Sequence, residues 1–123
     1  MAWNIWAGIG AISAGISVIL GAFGAHALKN RMPAEDLLIF ETGVRYQMYH
    51  AFAIIACALI ATRFESFGIK LAAWFFLTGT IIFSGSLYTL TLTGQRQLGM
   101  VTPIGGVLFV VGWFALAWAT LSR

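Results

Sequence analysis

Within ten residues, Glu41 to His50, the chain places an acid, an arginine, a glutamine, two tyrosines and a histidine in an otherwise oily sequence. The other charged residues fall in short gaps between apolar runs or at the C-terminus, whereas Glu41 and Arg45 stand where a membrane helix should already have begun. An ionisable side chain inside a bilayer is costly, and by default it marks a function or an obligatory structural pair. Glu41 precedes Arg45 by four residues, the favoured order for an ion pair along one helix. Tyr46 and His50 share one helical face, and Arg45 and Tyr49 share the adjacent one.

Several chemistries use such residues. A hydrogen-bonded ion pair that pins the second helix to its neighbours is the favoured reading, because ionic groups in a bundle must be paired, and pairing requires no turnover. A proton or solute pathway through His50 is the sharper one, since imidazole titrates near neutrality. Against it, residues 51–61 offer nothing more polar than Cys57. His26, His50 and Glu41 have the right atoms for a metal or haem but no spaced ligand motif, so neither metal nor cofactor is expected. Ser84 and Ser86 flank a glycine, yet Ser-Gly-Ser on a helix is not a nucleophile elbow, and no enzymatic activity is expected.

Four apolar stretches must carry these residues, at about 3–28, 39–62, 71–92 and 99–121. Each is close to the ~20 residues that cross a ~30 Å hydrocarbon core. Short connections force alternating directions, so the expected fold is an all-α, integral membrane, antiparallel four-helix bundle in one domain, 1–123. Alternation brings His26, Glu41, Arg45, Tyr46, Gln47, Tyr49, His50, Ser84, Ser86 and Tyr88 into one half of the bundle and leaves the other almost wholly apolar.

Pro33 with Glu35 and Asp36 signals a helix start, which extends the second helix to 33–62, with 33–42 at the interface and a bend at Thr42-Gly43. The first helix carries a ridge of Ser13, Ser17, Gly21 and Ala25, and Gly105, Gly106 and Gly112 slim one face of the fourth. In lipid such faces permit close backbone approach, which places the first helix in the middle of the bundle or at a subunit contact. Trp3 and Trp6 read as anchors at the lipid boundary, and Trp113 and Trp118 lie toward the exit of the last helix.

Composition agrees with this architecture. Hydrophobic residues make up 60% of the 123 and charged residues 9%, with a mean hydropathy of +0.90, which describes a lipid-embedded chain. Seven basic residues against four acids are scattered through connections without forming a stripe, so no nucleic-acid partner is expected. Cys57 is the lone cysteine, which excludes an intramolecular disulfide. The first apolar run ends near Ala25-His26-Ala27, a small-x-small pattern, but no Lys or Arg precedes it and it is too long for a signal peptide, so a retained first span is expected. Arg63, Lys70 and Arg123 flank one side, and Lys29, Arg31 and Arg96 the other, with Arg45 just inside; the second count places the Lys29/Arg31 side in the cytoplasm.

GAFGAHAL at 21–28, ETGVRYQMYHA at 41–51, GTIIFSGSLYTL at 79–90 and LGMVTPIGGVLFVVGW at 98–113 resemble the bacterial YgdD/YwdK-type membrane proteins, a family catalogued as a domain of unknown function. The resemblance covers essentially the whole chain. It implies a four-span protein of the bacterial inner (cytoplasmic) membrane, and it supplies neither a reaction nor a role for any residue. The expected role is a scaffold or accessory for envelope integrity, with the bilayer, a second copy or another membrane protein as partner. A small-solute or proton-linked transporter is the alternative.

Overall fold

The computed structural model describes residues 2–123, in which all regular structure is helical. Helix α1 spans Trp3–Phe23 and closes with a π-helical turn, Gly24–Leu28; α2 spans Ala34–Ala61, α3 Phe67–Thr93 and α4 Thr102–Leu121, the last preceded by a 3₁₀ turn at Arg96–Met100. The four candidate spans are 26 to 28 residues long, enough for a ~30 Å core. The all-α membrane bundle read from the sequence is what forms.

Local signals explain the boundaries. Pro33 is extended (φ −57°, ψ 148°) and hands over to α2 with Glu35 and Asp36 in its first turn, where acids face the positive end of the helix dipole. Ser66 caps α3, its hydroxyl accepting the Ile69 N–H at 3.3 Å, so α3 begins one turn before the expected residue 71. Gly94 ends α3 in the left-handed region at φ 77°. Helix α2 is continuous through Thr42-Gly43; the glycine there serves close approach, described below.

Helices α2 and α3 form the centre, with α1 seated on α2 and α4 on α3. In its most apolar stretch α1 is 17% buried against 44% for α2, so α1 lies at the periphery and not in the middle of the bundle. Its small residues form a one-sided seat: Ser17 is buried, Gly21 lies against Val44, and a Cβ on Gly10 would come within 2.9 Å of the Ala51 carbonyl. Ala25, the fourth residue of the ridge, is exposed. On α4 a Cβ on Gly105 would meet the Phe83 amide nitrogen at 2.5 Å and one on Gly112 the Phe76 ring at 2.8 Å, whereas Gly106 has Phe83 no nearer than 3.9 Å. Gly105 and Gly112 are therefore consumed by contact with α3.

Ile54, Cys57, Ile69, Ala72, Ala73 and Phe76 form the dry centre. Trp6 belongs to this core and not to the lipid boundary: it is 6% exposed and meets Trp74 edge-on at 4.9 Å between ring centres. At the same end the Trp3 indole N–H donates to Glu65 in the α2–α3 connection, and that bond holds the Glu65 carboxyl below its ordinary range. Arg123 lies 4.5 Å over the Phe64 ring.

Candidate functional site: a hydrogen-bonded seam beside a lipid-facing groove

Gln47 is the centre of the polar half. Buried at mid-helix, its Nε2 donates to the Ser13 carbonyl at 3.0 Å and lies 3.3 Å from the Ser13 hydroxyl, while its Oε1 accepts the Tyr88 hydroxyl at 2.7 Å. One side chain thus joins α1, α2 and α3. The Tyr88 ring reaches it because Gly43 has no side chain; a Cβ there would stand 2.9 Å from Tyr88 Cε1. Ser84 donates to the Gly43 carbonyl at 2.6 Å, and Ser86 shares a 2.6 Å bond with Thr102, tying α3 to α4.

His50 makes a second node. Its Nδ1 lies 2.7 Å from the Tyr46 carbonyl and its Nε2 accepts the Trp113 indole N–H at 3.1 Å. A carbonyl needs a donor and an indole N–H needs an acceptor, so these partners select the neutral imidazole protonated on Nδ1. The ring stacks on Phe109 at 3.5 Å and 7° and is 4% exposed. Among the described residues no buried side-chain nitrogen or oxygen lacks a hydrogen-bond partner.

The expected charge pair does not form. Among the described residues no ion pair joins Glu41 to Arg45; Arg45 is exposed and turns back to the Thr42 hydroxyl at 3.3 Å, while Glu41 is half-buried. An in-helix pair contributes only ~0.2–0.5 kcal/mol, too little to overrule a nearer partner. The ion pair of this end is instead Asp36–Arg96, bidentate at 2.9 and 2.8 Å, which clamps the start of α2 to the turn before α4. Alternation of the spans had already put both residues on one side, which was the available signal. His26 stands apart, exposed in the π-helical turn, and shares no site with His50.

Trp113 and Phe109, the partners of His50, were not legible as such, since a tryptophan in a membrane helix reads first as an interfacial anchor. With Tyr46 and Tyr49 they line a groove of about 800 Å³ between α2 and α4, floored by His50 and open at the side of the bundle. A second, smaller groove of about 410 Å³ lies between α1 and α3, past Gln47.

Residues 20–106 match the family described as a protein of unknown function, DUF423. Among curated proteins the chain is 41% identical over 115 residues to the UPF0382 membrane protein YwdK of Bacillus subtilis, covering 93% of this chain and 94% of that one. It is 44% identical over 114 residues to the UPF0382 membrane protein SSP2132 of Staphylococcus saprophyticus, with 93% and 94% covered. Against the UPF0382 inner membrane protein YgdD of Escherichia coli it is 45% identical over 103 residues, 84% of this chain and 79% of that one. No solved structure matches the chain. The resemblance carried by the four segments is borne out, as is a multi-pass location in the bacterial inner membrane.

Proposed function

We propose a function for this chain, which belongs to the DUF423 family of bacterial multi-pass inner-membrane proteins: it is a non-enzymatic scaffold or accessory that supports the membrane or a partner within it. The observation that carries this reading is that, among the described residues, the buried polar side chains are all satisfied within the protein. Gln47, Ser84, Ser86, Tyr88 and His50 each spend their hydrogen bonds on another helix or on the backbone. Ser84 donates to a carbonyl and Ser86 to a neighbour's hydroxyl or backbone, so neither serine faces a base that would activate it. Past His50 the interior of α2 continues as Ala51, Ala53, Ile54, Cys57, Ala58 and Ala61, which gives a proton or a solute no partner on the way to the second side.

A small-solute or proton-linked transporter is the competing reading, favoured by one observation: His50 floors a groove that opens sideways. Purified protein in vesicles with a trapped pH-sensitive dye and an imposed pH gradient separates the two. A scaffold leaves proton flux at the level of protein-free vesicles. Flux above that level which disappears in His50→Phe would establish transport instead.

A further inference from the structure

The groove between α2 and α4 has a rim that its apolar floor does not explain. Tyr46 and Tyr49 on that rim are 39% and 51% exposed, and among the described residues their hydroxyls have no hydrogen-bond partner. Arg45 lies one turn before Tyr49 on the same face, exposed, with the Thr42 hydroxyl as its partner and no carboxylate. Three donors, one of them cationic, thus stand on adjoining positions of α2, with the two tyrosines lining the groove and Arg45 one turn before Tyr49. The nearby guanidinium of Arg96 is already neutralised by Asp36.

The floor asks for the opposite chemistry. Phe109 stacks on His50, both nitrogens of His50 are engaged within the protein, and Pro103, Val107 and Val110 make up much of the wall. From Pro103 to Trp113 the wall descends about 15 Å at 1.5 Å per residue, half of a ~30 Å hydrocarbon core, the depth of one leaflet. A volume of about 800 Å³ is within the usual range of binding sites.

The geometry points to a binding site for one anionic glycerophospholipid, with an acyl chain along the α2/α4 groove and the phosphate against Arg45. The tyrosine hydroxyls donate to phosphate or ester oxygens. Charge complementarity selects the anionic headgroup, because a zwitterionic lipid brings its own cation to the phosphate that Arg45 would neutralise. The site is independent of whether the bundle scaffolds a partner, so its failure would leave that reading standing.

Native mass spectrometry of the detergent-purified protein, supplied with phosphatidylglycerol or phosphatidylcholine, tests it. The unmodified protein is expected to hold one phosphatidylglycerol in preference to phosphatidylcholine. Arg45→Gln should cut that preference about fivefold, the factor expected for one basic residue at a membrane surface. Val110→Trp, which fills the groove from an exposed position, should remove both lipids without lowering the thermal midpoint. Equal retention of the two lipids, or undiminished phosphatidylglycerol in both variants, overturns the assignment. So does a photocrosslinker at position 110 that captures a protein in native membranes and no lipid.

Discussion

From Gly43 to His50, α2 meets its neighbours through hydrogen bonds: a carbonyl to Ser84, an amide to Ser13 and Tyr88, an imidazole to Trp113. From Ala51 to Ala61 it meets them through methyl groups and a thiol, and α1 comes close there because Gly10 has no side chain. Lipid removes most of the hydrophobic drive between helices, which leaves dispersion and interhelical hydrogen bonds to hold a bundle. One helix uses the two in succession. Close packing fixes how near the helices lie; directional bonds fix their rotation and register, since a polar side chain turned to lipid would lose its partner outright.

The comparison breaks most visibly at the apolar end. Gly10→Ala sets a methyl 2.9 Å from a backbone carbonyl that cannot yield as a flexible side chain would, and a loss of about 3 kcal/mol is expected. Gly15→Ala on the same helix has nothing within 4 Å and should change stability by less than about 0.5 kcal/mol. Thermal or steric-trap unfolding in detergent compares the two; equal effects would mean that α1 is not held by close approach.

At the polar end the expected losses are smaller. Gln47→Leu strands the Tyr88 hydroxyl and should cost about 1–2 kcal/mol. Joining it with Tyr88→Phe removes both partners, so the double variant should lose less than the sum of the singles, with a coupling near 1 kcal/mol. Strict additivity would show that the node contributes no interaction of its own. Trp113→Phe deletes one bond to His50 while keeping an aromatic ring, and about 0.6 kcal/mol is expected from the same unfolding measurement.

The Asp36–Arg96 clamp, with Arg96 58% exposed, should matter least. Asp36→Asn is expected to lower the midpoint slightly at low salt and not at all at high salt, where screening has already removed the benefit. Adding Arg96→Gln to Asp36→Asn should cost little beyond Asp36→Asn alone, and full additivity of the two singles would assign the effect to something other than the pair.

Four apolar runs, their short connections and the collection of polar residues at one end follow from local composition, because a bilayer leaves a chain few ways to satisfy its backbone. The family signature was legible in the same segments. Partner choice was not. Each residue turns 100° around its helix, and which neighbour lies in that direction depends on how all four helices rotate together. Hence Arg45 and Glu41, ideally spaced in one dimension, stay apart, while Gln47 finds Ser13 and Tyr88, and Asp36 finds Arg96 across 60 residues. Tertiary structure also decided that α1 is peripheral: a ridge of small residues shows that a helix has a close neighbour, and the fold determines that it has just one such side.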